Sequence, residues 1–381
     1  MKVRAIATKL AARGHRVTVL TSDHGIAHLA SDIVNLDRCE WGWRGVDSGV
    51  ETIYLRSLLR YRSVTVNPDV IRFCESRLED IDVAHLYGLY DLLGPAVGRC
   101  CSRRGVPYAL EPIGMYHPIV RSLRLKRLYH RLFGKRLVNG ARYLIATSQQ
   151  EKDELAEGGI PPQRIVIRRN GIDVPATIPE RGQFRSAWSI PPDASVVLFL
   201  GRLISKKSPE ILIDAFARWQ EQTPQRTPAV LVLAGPEEES SYVRELKGRC
   251  AQLQLDGSVR FTGPLYGKSK WAAYRDADVF VLPSQNENFG NTAAEAAACG
   301  TPVIVTEQCG IAPIVRGRAG IVVEHSSAAV ADALGTLFAE PAPRDTFREG
   351  CAEVTRELSW EEPLEQMEAL YVRCLALGRA Q

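Results

Sequence analysis

One group of residues in the second half of the chain could act on a negatively charged substrate. Gly201, Arg202 and Lys207 follow the apolar run Val196–Leu200. Open α/β sheets bind ligands at the carboxyl ends of their strands, and a guanidinium with an ammonium at such an end suits a diphosphate. The alternative is a pair of surface charges near a helix start, although cations there oppose the helix dipole.

A second group joins another apolar run (VFVL) to a helix rich in alanine. Glu287 lies in the joining loop, and Gly290 allows the backbone to approach a ligand closely. Free amide groups at the helix start, near Asn291 and Thr292, favour a phosphate. Glu295 follows about two helical turns later. The two carboxylates could accept hydrogen bonds from sugar and ribose hydroxyls; alternatively, they are a loop acid and a helix-surface acid.

Short apolar runs alternate with helical patterns along the chain, which is typical of α/β lobes with parallel sheets. Those in the second half are continuous, which indicates strands buried on both faces. The polar, proline-rich stretch Asp173–Ser195 is the predicted linker. The predicted strands are Arg16–Thr21, Val83–Tyr87, Pro107–Leu110, Tyr143–Ala146, Ile165–Ile167, Val196–Leu200, Ala229–Ala234, Val259–Phe261, Val279–Leu282, Pro302–Val305 and Gly320–Val323.

Length and composition limit the possible classes. A chain of 381 residues with 45% hydrophobic and 24% charged residues predicts about two globular domains. We expect no membrane-spanning helix and no secretory signal. Nine scattered cysteines without a CxxC pair favour a reducing compartment, hence a cytoplasmic location, and argue against zinc. Two Asp-x-Asp strings, Asp80–Asp82 and Asp276–Asp278, precede predicted strands, so we interpret them as structural and predict no metal.

The segment 121–137 combines basic and apolar residues without an acid. One interpretation is a solvated helix with one core face. The other is a basic amphipathic surface that lies on an anionic membrane or beside an anionic acceptor. Nucleic-acid binding is not expected, because few aromatic residues accompany the charges and no nucleic-acid motif is present.

The combined pattern resembles the family 4 glycosyltransferases. That family has a glycine–arginine pair with a lysine five residues later, like Arg202 and Lys207. It also has two glutamates around a Phe-Gly pair, like Glu287, Phe289-Gly290 and Glu295. Further similar elements are Asn170–Asp173, Leu233–Gly235, Val259–Gly263 and Ser359–Tyr371.

The resemblance implies a GT-B fold, in which two Rossmann-like domains with parallel sheets face a central cleft. The expected parts are an acceptor-side domain at 1–175, a nucleotide-sugar domain at 176–357, and a helix at 358–381 that crosses back. A Rossmann lobe opens with a strand, whereas this chain opens on the helical pattern MKVRAIATKLAARGH. The first domain is therefore expected to lack its first strand.

The resemblance also implies a retaining transfer of a hexose-type sugar from a nucleotide sugar to a glycan or lipid-linked acceptor, with no cofactor. Arg202 and Lys207 would stabilise the leaving diphosphate, as cations do where no metal is used. Glu287 would bind the transferred sugar and Glu295 the ribose. The further donor-binding residues would be Gly201, Leu265, Phe289, Gly290, Asn291 and Thr292.

The acceptor side is defined by fewer residues. His85 lies at the carboxyl end of a predicted strand and could face the acceptor or belong to the core. Gly114 follows Ile113, where many family members have histidine, and His117 lies nearby.

Three alternatives remain open at this level. The chain could be a non-catalytic GT-B-like binding protein or a truncated inactive enzyme, since its first strand is expected to be missing. It could be a glycoside hydrolase with Glu287 and Glu295 as its carboxylate pair, or a sugar-nucleotide epimerase of the same architecture.

Overall fold

The structure is a computed structural model that describes residues 2–24, 26, 36–61, 64–116, 123–222, 228–238 and 240–378. The chain divides into two compact units, Met1–Arg168 with Glu361–Gln381, and Arg169–Trp360. Both units contain helices and β-sheets, which confirms the predicted α/β class. In the described part of the chain, no helix is long and apolar enough to cross a bilayer.

In the described residues, the first unit opens with a helix, continues with six strands, and then alternates helices with strands. The strands are β1 (Val17–Ser22), β2 (Leu36–Cys39), β3 (Gly42–Asp47), β4 (Val50–Leu55), β5 (Leu59–Tyr61), β6 (Val64–Val66), β7 (Ala84–Tyr87), β8 (Tyr108–Glu111), β9 (Tyr143–Ala146) and β10 (Ile165–Ile167). The helices are α1 (Lys2–Ala12), α2 (Val70–Arg77), α3 (Leu93–Arg104), α4 (Leu123–Tyr129), α5 (Lys135–Gly140), α6 (Gln149–Glu157) and α15 (Glu361–Gly378).

The sheets of this unit only partly match the prediction. β7 to β10 form a parallel sheet in the order β10-β9-β8-β7, as expected from their apolar runs. A second sheet has the order β1-β4-β3-β2, and its β2–β3 and β3–β4 pairs are antiparallel. The strands β5 and β6 form a separate antiparallel pair. This region therefore contains antiparallel pairs in addition to the predicted parallel pairing. The strand β1 was predicted as Arg16–Thr21, whereas β2 and β3 were not predicted, because the runs LDRC and GWRGVD are short and polar.

The second unit is built around one parallel sheet. Its strands are β11 (Ser195–Leu200), β12 (Ala229–Ala234), β13 (Val259–Gly263), β14 (Val279–Leu282), β15 (Val303–Thr306) and β16 (Gly320–Val323), in the order β13-β12-β11-β14-β15-β16. Its helices are α7 (Gln183–Ala187), α8 (Pro209–Gln222), α9 (Ser240–Gln252), α10 (Gly267–Asp276), α11 (Asn291–Ala298), α12 (Ala312–Val315), α13 (Ser327–Ala339) and α14 (Pro341–Glu357).

Burial on both faces explains why these strands were visible in the sequence. Val197, Leu198, Phe280 and Ile304 are completely buried, and each such side chain contributes about 1.5–3 kcal/mol of hydrophobic stabilisation. The predicted linker Asp173–Ser195 contains the short helix α7, so it is not wholly irregular.

A glycine at the end of β12 fixes the backbone at the end of β11. The Gly201 amide donates to the Ala234 carbonyl at 2.9 Å, and the Gly235 amide donates to the Gly263 carbonyl at 2.9 Å. Gly235 has φ +157°, and a Cβ there would overlap the Gly201 carbonyl oxygen. Only glycine therefore allows the ends of β11 and β12 to approach this closely.

We predict that Gly235→Ala lowers the free energy of unfolding by about 1–3 kcal/mol, because the new methyl group must displace the Gly201 backbone. Gly248→Ala is the matched control, since Gly248 lies in α9 with open space around its Cα. There we expect a gain of about 0.5–1 kcal/mol. Urea unfolding followed by circular dichroism measures both changes. An unchanged stability of Gly235→Ala would contradict the assigned close approach.

Candidate functional site

The first two sequence-predicted groups meet in the second unit. After Gly201 and Arg202 the chain makes a 3₁₀ turn, Ser205–Lys207. The Lys207 ammonium forms an ion pair with the Glu287 carboxylate, and the two side chains are only 16% and 18% exposed. The turn after β11 therefore places a cation directly beside the carboxylate that follows β14.

Backbone hydrogen bonds hold Glu287 on both sides. The Glu287 amide donates to the Gln308 carbonyl at 2.9 Å, and the Gly310 amide donates to the Glu287 carbonyl at 2.8 Å. In addition, the Gln285 amide donates to the Lys206 carbonyl at 3.1 Å, which ties this loop to the Lys207 turn. The carboxylate position is thus set by segments from three strand ends.

The environment of Lys207 lowers the pKa of its ammonium group. The pKa of the Lys207 ammonium is lowered to about 8, mainly by burial and also by the nearby Arg202 and Lys206, while the Cys309 thiol acts in the opposite direction. Its ion pair with Glu287 also favours the charged form. Arg202 is more open, with 54% of its side chain exposed and its Nη1 3.4 Å from Glu238 Oε2.

His325 supports the Lys207 turn and was not recognised from the sequence. The turn ends at Ser208, which has φ +49°, a conformation that is uncommon for a residue other than glycine. Its hydroxyl is 2.9 Å from the His325 ring and 3.2 Å from the Ser205 carbonyl. No local pattern around His325 indicated this contact, because it joins positions 117 residues apart.

The start of α11 is open to a ligand. Gly290 precedes it with φ +105°, and a Cβ there would be 2.9 Å from Ile311 Cγ2. The first amides of an α-helix, here Asn291 and Thr292, have no partner within the helix and lie at its positive end. The Asn291 side chain accepts from Asn170 Nδ2 at 3.1 Å, so the backbone amide is the group left for a ligand.

Two predicted donor-binding residues contribute to packing. The Phe289 side chain is only 2% exposed, and the Phe289 carbonyl accepts from the Ile311 amide at 2.6 Å. Leu265 lies between β13 and α10 and packs partly buried against the core. Any contact of Phe289 with a ligand must therefore come from its backbone.

Glu295 is held by α10. Lys270 Nζ donates to Glu295 Oε1 at 2.8 Å, and the Tyr274 hydroxyl donates to Glu295 Oε2 at 2.9 Å. The Glu295 side chain is 21% exposed. Lys270 and Tyr274 were not identified from the sequence, although their spacing of one helical turn, on the helix before a strand, was a usable signal.

His85 belongs to a buried charge cluster in the first unit. Glu111 is completely buried, accepts from Arg168 Nη2 at 2.7 Å, and also pairs with Lys2. Burial alone would raise the pKa of Glu111, but Arg168 and Lys2 hold it well below its usual range. His85 Nδ1 is 2.9 Å from the Tyr371 hydroxyl. Burial lowers the pKa of His85 although Glu111 acts in the opposite direction.

Gly114 lies in a strained loop that a buried carboxylate holds. Ile113 has φ +54° and Gly114 has φ +61°, which is a costly backbone conformation for a β-branched side chain. Glu151 Oε1 accepts from the Gly114 amide at 2.7 Å, and its Oε2 accepts from the Thr147 amide at 2.8 Å. The capping pattern from Ser148 to Glu151 could have revealed this residue. His117 lies outside the described residues.

The Asp276–Asp278 string has structural partners. Asp276 accepts from the amides of Gly182, Phe184 and Arg185 at the start of α7. Asp278 Oδ2 accepts from Arg185 Nη2 at 2.9 Å. Over the residues with described positions, no group of three or more His, Cys, Asp or Glu side chains is arranged to hold a metal.

The chain is similar to curated bacterial enzymes. It is 34% identical over 248 residues to the D-inositol 3-phosphate glycosyltransferase of Corynebacterium efficiens, and 34% identical over 246 residues to that of Actinosynnema mirum. The matches include 63% and 62% of this chain, respectively, and 58% of each relative. The chain thus spans less than two thirds of the length of these relatives.

Solved structures share the fold. The sucrose-phosphate synthase of Thermosynechococcus elongatus has a TM-score of 0.74 at 22% identity, covering 98% of this chain and 93% of that one. Anabaena HepE in complex with UDP and glucose has a TM-score of 0.73 at 19% identity, covering 97% and 95%. These neighbours confirm the predicted GT-B fold with its two Rossmann-like domains.

Two family models match consecutive parts of the chain. The glycosyl transferase 4-like domain matches residues 2–171, and the glycosyl transferases group 1 model matches residues 180–353. Together they account for nearly the whole chain and agree with the predicted resemblance. The chain therefore belongs to the group 1 glycosyltransferases with a family 4-like N-terminal domain.

Proposed function

We propose that the chain transfers a hexose-type sugar from a nucleoside diphosphate sugar to a hydroxyl of a glycan or lipid-linked acceptor, with retention of anomeric configuration. The Lys207–Glu287 ion pair carries this proposal, because it sets a diphosphate-binding cation beside an acceptor for sugar hydroxyls. Family membership and the similarity to bacterial glycosyltransferases support the same reaction class.

The diphosphate would lie between Lys207 and the first amides of α11. Partly buried cations stabilise charge that grows on a leaving group more strongly than exposed ones do, since water screens them less. Arg202 would turn from Glu238 towards the phosphates, because a 3.4 Å surface contact holds it only weakly. No metal or other cofactor is needed in this proposal.

The reaction exchanges one bond at the anomeric carbon. The bond from that carbon to the diphosphate oxygen breaks, and a bond to the acceptor oxygen forms on the same face of the sugar. The acceptor proton passes to the leaving phosphate oxygen. Glu287 accepts hydrogen bonds from hydroxyls of the transferred sugar, Glu295 binds the ribose, and the backbone near Leu265 meets the base.

The predicted acceptor-side residues, His85 and Gly114, lie in the first unit. We propose that the loop at Ile113 and Gly114 approaches the acceptor, since stored backbone strain is typical of functional loops. His85 has 8% of its side chain exposed and lies among Glu111 and Tyr371. We therefore assign His85 to the support of this region and not to direct acceptor contact.

The partners of the carboxylates argue against glycoside hydrolysis. A hydrolase needs one carboxyl group that keeps its proton, whereas Glu287 and Glu295 are both paired with an ammonium. An epimerase would consume the donor without an acceptor, and a non-catalytic protein would bind the donor without turnover. Assays of donor turnover with and without acceptor separate these alternatives.

We further propose that the protein works on the cytoplasmic face of a membrane and contacts it through the basic segment 121–137, whose described part consists of α4, the π-helical turn His130–Gly134 and the start of α5. Leu125 and Leu128 lie three residues apart in α4, and Leu132 lies in the π-helical turn His130–Gly134 that continues it. All three are 50–64% exposed. Arg127 and Arg131 occupy the neighbouring row and are exposed. An apolar stripe beside a basic stripe suits an anionic lipid surface. Arg121 lies outside the described residues.

Lys207→Ala should reduce transfer on the order of 10²–10³-fold, since removal of one charge that stabilises a transition state costs about 3–4 kcal/mol. The donor is found first by thermal shift with UDP, GDP, ADP and their sugar conjugates. Lys247→Ala is the control, because the Lys247 side chain is 53% exposed and forms an ion pair with the surface residue Glu237. Activity near wild type in Lys207→Ala would remove the phosphate assignment.

Nucleotide affinity should fall as pH rises above about 8. Because the pKa of Lys207 in the free protein is lowered to about 8, its ammonium is present below that pH and is lost above it. The association constant should then fall about tenfold per pH unit, whereas Lys207→Arg should keep a flat profile. Isothermal titration from pH 6.5 to 9.5, roughly the range that brackets this pKa, measures both. A flat wild-type profile would contradict the assignment.

Flotation should recover the wild type with phosphatidylserine-containing vesicles and not with pure phosphatidylcholine. Leu128→Glu/Leu132→Glu should abolish recovery, and Arg127→Glu/Arg131→Glu should weaken binding by about 1 kcal/mol per lost positive charge. Val372→Glu is the matched control, since Val372 is 65% exposed on α15. Equal recovery of all variants would refute this contact surface.

A further inference from the structure

Glu295 is held at both carboxylate oxygens by one neighbouring helix. Lys270 occupies Oε1 and Tyr274 occupies Oε2, at 2.8 and 2.9 Å. Lys270 and Tyr274 are four residues apart, so they project from the same side of α10 one turn apart. A carboxylate whose two oxygens each accept a hydrogen bond cannot rotate freely about the Cγ–Cδ bond.

The two donors are themselves fixed by packing. The Tyr274 ring is completely buried and meets Phe280 edge to face at 5.7 Å. The Thr301 hydroxyl donates to the Tyr274 carbonyl at 2.6 Å, beyond the end of α11. The Lys270 ammonium lies 4.9 Å from the Trp271 ring centroid, and its side chain is 13% exposed. The orientation of Glu295 is therefore built into the contact between α10 and α11.

The remaining acceptor capacity of Glu295 defines a ligand chemistry. An ionised carboxylate offers about four lone-pair sites, two on each oxygen. One site on each oxygen is used by Lys270 or Tyr274, so one on each remains. Two adjacent acceptors in a fixed plane match two donors on neighbouring carbons, which is the arrangement of a vicinal diol. The 21% exposure of Glu295 leaves this edge accessible.

We propose that Lys270 and Tyr274 are positioning residues that orient Glu295 to accept both hydroxyls of a ribose diol at once. This inference rests on the proposed function and deepens it by naming the two residues that orient Glu295 for its contact with the ribose. Neither residue touches the ribose. Lys270 and Tyr274 each hold one carboxylate oxygen and so fix the plane of Glu295, which orders the carboxylate before the nucleotide arrives.

A purely structural salt bridge between α10 and α11 is the competing interpretation. In that case, loss of Lys270 or Tyr274 would lower the melting temperature and would weaken all nucleotides by the same factor. In our proposal, the two variants lose affinity mainly for ligands that carry both ribose hydroxyls. The reason is that a site built to bind a hydroxyl discriminates strongly against analogues that lack it.

The test is isothermal titration of the full chain with UDP, 2′-deoxy-UDP and 3′-deoxy-UDP, or with the corresponding diphosphates of the base that binds. We expect the wild type to bind either deoxy analogue on the order of tenfold more weakly, which corresponds to one lost hydrogen bond to a charged group. Lys270→Met and Tyr274→Phe should bind the parent diphosphate about tenfold more weakly but lose most of this discrimination. Lys268→Met, an exposed lysine on the same helix, should behave as the wild type.

The possible outcomes distinguish failure of the positioning role of Lys270 and Tyr274 from failure of the proposed function. If the wild type discriminates and both variants weaken all three ligands by the same factor, the positioning role is overturned. Binding of the parent diphosphate without discrimination by the wild type also overturns it, while the proposed function stands. If no nucleoside diphosphate binds the wild type, the proposed function falls and this inference falls with it. Melting curves of the two variants confirm that each one is folded.

Discussion

Parallel pairing of β11 with β12 and β14 is the constraint on which the candidate site depends. Because parallel strands run in the same direction, their carboxyl ends lie at one edge of the sheet, and segments far apart in sequence meet there. The Lys207 turn and the Glu287 loop meet in this way. Glycine at position 235 lets two of these strand ends come close enough for the edge to form.

Burial distinguishes the charge pairs of the two units. Glu111 and Arg168 in the first unit are almost completely enclosed, so they hold each other and offer nothing to a ligand. Lys207 and Glu287 in the second unit keep 16% and 18% exposure, and a diphosphate or hydroxyl can reach them. Buried ion pairs add little net stability, which favours a functional reason for the partly open pair.

The fold was predictable where the sequence pattern is strong and local. The strands β11, β12, β14 and β15 are apolar runs because both of their faces are buried. The predicted bounds of β11 to β16 agree with the structure to within about two residues. The strands β2 and β3 were missed, since their short polar runs carry little periodic signal. Their pairing is set by contacts across the sheet, which a pattern within one segment does not contain.

The sequence alone determined the α/β class, the strands of the second unit, and the candidate residues Arg202, Lys207, Glu287 and Glu295. These follow from hydrophobic periodicity and from residue types at fixed short spacing. Only the tertiary structure decided which groups meet: Lys207 with Glu287, Glu295 with Lys270 and Tyr274, and His85 with Tyr371. Such contacts join distant segments, and their partners depend on how helices pack on the sheet, since local sequence determines the element and packing determines its neighbours.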